Sequence, residues 1–197
     1  MKKEQKEWVR TWCDDTNGND LPRVLLIGDS ITNGYQEKVR ELLRGVCYVD
    51  FLATSYAIDM PIYHKLVAMF VADSRYELIH FNNGLHGIHI AKRTYKSGVK
   101  KLLKKIVGKK KVILATSTIV YKGSTKRKDG AWMKRVRERN AALKELAAEF
   151  GYGIDDLYEV STKIPFEKRY GDGTHYLVEG YELLAQAVVE SIEKAIK

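Results

Sequence analysis

The sequence predicts an α/β fold in which helices cover both faces of a mostly parallel sheet of about five strands. Two observations predict it. Short apolar runs of strand length alternate with longer segments whose apolar residues recur at helical spacing. Most of the short runs are apolar throughout, as in parallel strands that are buried on both sides. Repeated strand and helix units with right-handed crossovers build a three-layer α/β/α sandwich of this kind.

Residues 1–22 are predicted to form an N-terminal arm that packs on a single domain comprising residues 23–197. The arm is polar, and Trp8, Val9 and Trp12 predict a short helix within it. A stretch rich in turn-forming residues then ends this helix and leads into the domain.

The elements of the domain follow from the apolar pattern. Buried strands are predicted at residues 24–27, 48–52, 78–81, 112–117 and 153–155. Helices are predicted at residues 35–43, 62–72, 92–107, 133–150 and 178–196. Glycines soon after the first helix and directly after the fourth are typical of helix ends. An apolar stripe along the last helix, from Tyr181 to Ile192, indicates packing against the core rather than a binding face.

The chain carries a formal net charge of +9, which raises nucleic acid as a partner. Many of the lysines lie in residues 92–111, where they alternate with apolar residues at helical spacing. They are therefore expected to form a solvated helix face, with a patch for an anionic ligand as the alternative. We expect no nucleic-acid partner.

No apolar run is long enough to span a bilayer, and no signal-peptide pattern follows the charged N-terminus. We therefore expect no membrane span. The protein is expected to be cytoplasmic, or secreted or periplasmic if a leader has been removed.

The cysteines and three of the histidines show no spacing typical of a metal site. Cys13 and Cys47 are expected to be free thiols; both are expected to precede parallel strands, which leaves a disulfide as the alternative. His64, His80 and His89 have no partner at metal-ligand spacing. We expect neither a metal nor a cofactor.

Three short motifs follow predicted strands or precede the last helix: Gly-Asp-Ser at 28–30, Asn-Gly-Leu-His at 83–86 and Asp-Gly-Thr-His at 172–175. Ligands bind beyond the carboxyl ends of parallel strands, so these motifs are expected to meet at one edge of the sheet. Ser30 lies at a strand-to-helix turn, where a nucleophile would have its own N–H at a helix N-terminus. In this pattern Ser30 would be the nucleophile, His175 its base and Asp172 the group that orients the base. The three residues together predict acyl transfer. The alternatives are that Ser30 and His175 are helix caps.

The order and spacing of these motifs resemble the SGNH hydrolase family, also called GDSL-like esterases and lipases. The nucleophile of that family lies in an N-terminal Gly-Asp-Ser block, and the resemblance covers nearly the whole chain. It implies a flavodoxin-like sandwich and ester hydrolysis through an acyl-enzyme without a cofactor. Ser30, Asp172 and His175 would form the catalytic triad.

The chain departs from the family pattern at both of the blocks that supply further oxyanion donors. The third block of the family reads Gly-x-Asn-Asp, whereas residues 84–87 here read Gly-Leu-His-Gly. The resemblance therefore carries the role of oxyanion donor to His86, beside the N–H of Ser30. The alternatives are that Asn82 or Asn83 supplies an amide donor, or that His86 caps a following helix. The glycine of the second block is absent, and the N–H of Ser55 is the nearest candidate.

The resemblance allows acetylated sugars, lysophospholipids, short acyl esters and thioesters as substrates. We expect a small-molecule or carbohydrate ester with a short acyl group, acetyl being one option. Asn83 and Lys126 are candidates for substrate binding, because Lys126 lies in a cationic loop, residues 121–128, that is expected to overhang the catalytic edge. The alternatives are a solvated loop, a lysophospholipase or thioesterase, and a non-catalytic binding protein with the same fold.

Overall fold

One mixed sheet lies between two layers of helices in the computed structural model, which describes residues 2–73, 75–108 and 110–197. The strands in this part of the chain are β1 (Val9–Trp12), β2 (Arg23–Gly28), β3 (Tyr48–Thr54), β4 (Leu78–Phe81), β5 (Lys111–Ala115) and β6 (Gly153–Asp155). The α-helices are α1 (Ser30–Leu42), α2 (Pro61–Asp73), α3 (Lys92–Leu102), α4 (Gly130–Phe150), α5 (Leu157–Lys163) and α6 (Val178–Ile196). A π-helical turn, Leu103–Val107, follows α3, and a 3-10 turn, Phe166–Lys168, precedes α6.

The sheet has the strand order β1-β3-β2-β4-β5-β6, in which β2 to β6 are parallel. This arrangement confirms the predicted three-layer α/β/α fold. The bounds of β4, β6 and α6 are those that the apolar pattern predicts. Helix α5 was not predicted; it begins at a side-chain cap, because the Asp156 carboxylate accepts a hydrogen bond from the N–H of Glu159.

The predicted helix in the N-terminal arm is wrong. Val9–Trp12 forms β1, which pairs antiparallel with the edge strand β3, with Val9 opposite Thr54 and Trp12 opposite Phe51. All four side chains of β1 are exposed, so the strand has no buried face that a sequence pattern could reveal. It forms because pairing satisfies the open backbone groups of β3, whereas an isolated helix of one turn is unstable in water.

The core lies in two apolar clusters, one on each face of the sheet. Successive residues of β2 point to opposite faces, so Leu26 lies in one cluster and Leu25 in the other. Helices α1, α5 and α6 and the start of α4 pack on the first face, and α2, α3 and the rest of α4 pack on the second. In α6, Leu184 and Val188 are fully buried, which confirms that its apolar stripe packs against the core.

Cys13 and Cys47 are free thiols in this structure. Cys13 directly follows the antiparallel strand β1, and Cys47 directly precedes the parallel strand β3. The next strand after Cys13 is β2, which pairs parallel with β3, so both cysteines precede parallel strands as expected. Burial raises the pKa of the Cys47 thiol to about 12. Cys47 is therefore protonated and unreactive at neutral pH.

Candidate active site

Ser30 is the first residue of α1 and follows β2 after a single residue, Asp29. Asp29 is fully buried and caps the helix: its carboxylate accepts hydrogen bonds from the N–H of Ile31 at 3.0 Å and of Leu85 at 3.3 Å. The cap of α1 is therefore Asp29 and not Ser30. The second bond ties the turn that carries Ser30 to the loop after β4.

Position 28, directly before Asp29, accepts only glycine. A Cβ atom at position 28 would lie 1.8 Å from Oγ1 of Thr32, which is too close for any side chain. The tight strand-to-helix turn brings the N–H of Ser30 to the N-terminus of α1, where helix N–H groups lack intrahelical acceptors.

Ser30, His175 and Asp172 form a continuous chain of hydrogen bonds. Nε2 of His175 lies 2.7 Å from Oγ of Ser30, and Nδ1 of His175 lies 2.5 Å from Oδ2 of Asp172. An ionised carboxylate only accepts hydrogen bonds, so the proton is on Nδ1 and Nε2 accepts the Ser30 hydroxyl proton. The structure thus brings together the three residues that the motifs single out, across 145 positions of sequence between Ser30 and His175.

The turn that carries Asp172 and His175 is held by its own backbone. Oδ1 of Asp172 accepts the N–H groups of Thr174 at 2.8 Å and His175 at 2.9 Å. Partial burial raises the pKa of Asp172, but the hydrogen bonds from His175 and Thr174 outweigh it and hold that pKa below its usual value. The carboxylate is therefore ionised at neutral pH. His175 does not cap α6, whose N-cap residue is Leu177.

His86 lies in the same cavity as Ser30 and His175, which has a volume of about 490 Å³. Its Nδ1 lies 2.9 Å from Oε1 of Glu4 in the N-terminal arm. Its Nε2 is buried and has no hydrogen-bond partner among the described residues. His86 caps no helix either, because the next helix, α3, has Ala91 at its N-cap.

Comparison with solved structures finds this fold in several hydrolases. The lipase/acylhydrolase from Enterococcus faecalis superposes with a TM-score of 0.72 at 22% identity, covering 88% of this chain and 96% of that one. A member of the lipolytic protein G-D-S-L family from Veillonella parvula gives 0.68 at 19% identity, covering 88% and 99%. Axe2, an acetylxylan esterase from Geobacillus stearothermophilus, gives 0.67 at 17% identity, covering 87% and 94%.

The chain has the fold of the GDSL/SGNH hydrolases. No protein-family model matches the sequence, and no curated protein does. The roles of the site residues therefore rest on the distances and hydrogen bonds within this chain.

In this SGNH fold, the polar groups of Ser55 bond to the N-terminal arm and not to the cavity that was predicted. The N–H of Ser55 donates to the carbonyl of Trp8 at 3.2 Å, and its hydroxyl donates to Glu7 at 2.7 Å. That hydroxyl also accepts the N–H of Trp8 at 2.8 Å. The predicted oxyanion donor at Ser55 does not fit this arrangement, because the carbonyl of Trp8, the residue before β1, already accepts the Ser55 N–H.

The two asparagines after β4 also have structural partners. The Asn82 amide donates to the carbonyl of Ala115 at 2.7 Å, and the Asn83 amide donates to the carbonyl of Tyr56 at 3.2 Å. Asn83 is 1% exposed and does not line the cavity that contains Ser30. The geometry therefore gives no support to a substrate-binding role of Asn83, which stays a prediction, and both amide groups donate to backbone carbonyls.

Lys126 does not line that cavity either, so its predicted role in substrate binding does not fit. Its Nζ lies 5.9 Å from the centroid of the Phe166 ring. The loop around it supports the catalytic turn instead, because the N–H of Tyr121 donates to the carbonyl of Gly173 at 2.8 Å.

Arg139 of α4 is a residue of this site that the motifs do not reveal. It is 1% exposed and donates to three carbonyls of the loop after β4, those of Gly84 at 2.7 Å, His86 at 2.8 Å and Gly87 at 2.5 Å. The guanidinium carbon lies 5.0 Å from the centroid of the Tyr95 ring. Arg139 thus holds the backbone that presents His86. A single arginine within the buried stripe of α4 is the sequence signal that could have found it.

Within the described ranges, no three His, Cys, Asp or Glu side chains are grouped closely enough to hold a metal ion. Among the described helices, none is both long and apolar enough to cross a membrane.

Proposed function

We propose that this protein is a serine esterase that hydrolyses short-chain acyl esters through an acyl-enzyme intermediate. The single observation that carries the proposal is the hydrogen-bonded chain from Ser30 through His175 to Asp172. In an SGNH fold this chain lies at the carboxyl edge of the parallel strands, where ligands bind.

The reaction follows from the proton positions in that chain. Ser30 Oγ attacks the ester carbonyl carbon while Nε2 of His175 takes the hydroxyl proton, and Asp172 stabilises the imidazolium that forms. His175 then gives this proton to the leaving alkoxide, and an acyl group remains on Ser30. Water attacks the acyl-enzyme in the same way, releasing the carboxylic acid and restoring the Ser30 hydroxyl.

The tetrahedral oxyanion would be stabilised by the N–H of Ser30 and by His86. The family resemblance implies one donor more, from the second block, but the Ser55 N–H is bonded to Trp8. Loss of one oxyanion donor typically costs about 10²- to 10³-fold in rate. We therefore expect a slow esterase with an intact triad.

Two cavities meet at Ser30, as a site for the acyl and alcohol parts of an ester requires. One has a volume of about 490 Å³ and combines apolar Leu85, Ile88 and Trp132 with polar groups. The other, of about 580 Å³, is lined by polar arm residues and Trp8. The mixed linings suit a small acyl group on a polar alcohol better than a long lipid chain. An acetyl ester of a carbohydrate is the substrate class that we favour, and Axe2 is an acetylxylan esterase of the same fold.

The test is hydrolysis of p-nitrophenyl acetate and of acetylated xylooligosaccharides by the Ser30→Ala variant. Turnover should fall roughly 10⁴-fold or more, because the nucleophile is lost. Ser124→Ala, which changes an exposed serine of the neighbouring loop, is the matched control and should keep full activity. Full activity of Ser30→Ala would show that Ser30 is not the nucleophile. Absence of turnover of any acetyl to octanoyl ester by the unmodified protein would favour a binding protein instead.

Turnover should also rise as the pH increases from 5, because His175 acts as the base only when Nε2 carries no proton. The measurement is the pH profile of kcat/KM between pH 5 and 8. A flat profile would contradict the role of His175.

A further inference from the structure

The N-terminal arm forms a wall of both cavities that meet at Ser30. Residues 2–5 of the arm line the cavity of about 490 Å³, and residues 6–8 and 10 line the cavity of about 580 Å³. Ser30 lines both, so an ester bound at its hydroxyl has room for one part in each cavity. Residues of the arm therefore face the alcohol part of the substrate as well as its acyl part.

The position of His175 decides which cavity receives the alcohol part. His175 gives its proton to the leaving alkoxide, so the alkoxide oxygen must lie on the side of Ser30 that faces this imidazole. His175 and its neighbour Thr174 line the cavity of about 490 Å³, and neither lines the other cavity. The alcohol part therefore binds in the cavity of about 490 Å³, which we call the alcohol cavity, and the acyl part extends toward the other.

The alcohol cavity has an aromatic ring and apolar walls. Trp132, from the first turn of α4, is half-buried and lines this cavity together with Leu85 and Ile88 of the loop after β4. An indole combines a large apolar body with a polar N–H, so it can pack against the C–H groups of a sugar ring while the hydroxyl groups stay solvated. This part of the lining suits a carbohydrate.

Two lysines give the alcohol cavity an excess of positive charge. Lys2 and Lys3 are exposed residues of the arm, and neither side chain has an ion-pair partner among the described residues. Glu4 supplies the one carboxylate among the described residues of this lining. That carboxylate already accepts the N–H of Gly87 at 3.4 Å and lies 2.9 Å from Nδ1 of His86. The charges that remain available to a ligand are those of the two lysines.

We propose that the alcohol part of the substrate is a sugar that carries a negative charge, bound between Trp132 and the arm residues Lys2 and Lys3. The low-dielectric walls of a cleft focus the field of its charges and raise the local concentration of a substrate of opposite sign. This inference rests on the proposed esterase function and narrows its substrate class to acyl esters of acidic sugars. The carboxylate of a uronic acid and the phosphate of a sugar phosphate both supply the required charge.

The first test compares kcat/KM within two pairs of acetyl esters. One pair is acetylated galacturonic acid and its methyl ester, and the other is acetylated glucose 6-phosphate and acetylated glucose. We expect a preference of about fivefold or more for the charged member of at least one pair, and the pair that shows it distinguishes a carboxylate from a phosphate. The preference should shrink as NaCl is raised from about 50 to about 500 mM. No preference for the charged member of either pair would overturn the proposal.

The second test removes the two charges. Lys2→Gln combined with Lys3→Gln should reduce the preference about fivefold, with little change in kcat/KM for the neutral ester. Lys65→Gln combined with Lys101→Gln is the matched control, because it removes two charges from exposed positions of α2 and α3 that line neither cavity. Equal losses in the two double variants would mean that the net charge of the protein sets the preference, and would overturn the proposal.

A further double variant tests which cavity holds the charged part. Lys6→Gln combined with Arg10→Gln removes two charges from the arm on the side of the other cavity. The preference should stay within about twofold of that of the unmodified protein, because solvent and salt screen charges that do not contact the sugar. A larger loss here than in Lys2→Gln with Lys3→Gln would contradict the assignment of the alcohol cavity.

Trp132→Ala tests the place of the sugar ring. This variant removes the ring that packs on the sugar but no charge, so KM should rise for the charged and the neutral ester alike, and the preference between them should remain. An unchanged KM for both esters would refute the placement of the sugar on Trp132.

Equilibrium binding separates this proposal from the proposed function. Ser30→Ala leaves the ester intact, so calorimetric titration with the charged and the neutral acetylated sugars measures affinity without hydrolysis. The charged sugar should bind more tightly, and the difference should be lost when Lys2→Gln and Lys3→Gln are added. Equal affinities in the Ser30→Ala protein would reject the selection for charge. Full esterase activity of Ser30→Ala would instead reject the proposed function and leave the binding result standing.

Discussion

At the residue scale, Gly173 shows how one backbone position controls the catalytic turn. Its φ is +80°, a conformation that side-chain-bearing residues rarely adopt. A Cβ atom there would also lie 2.3 Å from the carbonyl oxygen of Tyr121. The turn can therefore pack against the loop at Tyr121 and hold Asp172 and His175 in bonding distance only with glycine at this position.

Gly173→Ala should lower kcat/KM for p-nitrophenyl acetate by more than tenfold, because the turn must move away from Tyr121 and carry His175 with it. It should also destabilise the protein by about 1–3 kcal/mol, the usual cost of a strained backbone. Gly171→Ala is the control, since no atom lies within 4 Å of its added Cβ and its φ is not in the left-handed region. Both effects are measured by ester hydrolysis and urea unfolding, and equal behaviour of the two variants would contradict the argument.

At the scale of elements, α4 supports the loop after β4 through Arg139. Three backbone carbonyls of that loop lose their donor in Arg139→Met, and buried carbonyls without partners cost about 1–3 kcal/mol each. We expect a loss of stability of about 3 kcal/mol or more, and a loss of kcat/KM at temperatures where the variant is still folded. Urea unfolding and ester hydrolysis measure the two effects. Arg137→Met, at an exposed position of the same helix, should change neither, and wild-type stability of Arg139→Met would refute the role.

At the scale of the whole molecule, a row of ion pairs joins the surfaces of α3 and α4. Lys92 and Lys96 bond to Glu145, and Lys100 bonds to Glu149. The lysine hydrogen bonds lower the pKa of Glu145 to about 2 and hold that of Glu149 below its usual value. The lysines predicted to form a solvated helix face are thus partly neutralised by the neighbouring helix.

These lowered pKa values predict a loss of stability in acid. The unfolded glutamate, with a pKa near 4.3, binds a proton before the folded one does, so the contribution is present above that pH and is lost as pH falls toward about 2. The melting temperature should fall from pH 5 to pH 2, and less steeply in Glu145→Gln. Glu190→Gln, at an exposed position of α6, is the control and should follow the unmodified protein. Identical slopes for Glu145→Gln and the unmodified protein would contradict this prediction.

The sequence alone determined the three-layer fold and the placement of Ser30, Asp172 and His175 near one edge of the sheet. Buried strands and helices leave an apolar pattern within a dozen residues, and parallel strands place their carboxyl ends together. The Gly-Asp-Ser and Asp-Gly-Thr-His motifs are local in the same sense, because each turn is built from consecutive residues.

Only the tertiary structure decided how the rest of the site is built. Strand β1 has no buried face and exists because it pairs with β3, and the carbonyl of Trp8, the residue before β1, accepts the Ser55 N–H. The contacts of Glu4 and Arg139 with the loop at His86 join positions that are more than 50 residues apart. Such contacts depend on backbone pairing and packing between distant segments, which leave no periodicity in the sequence that could predict them.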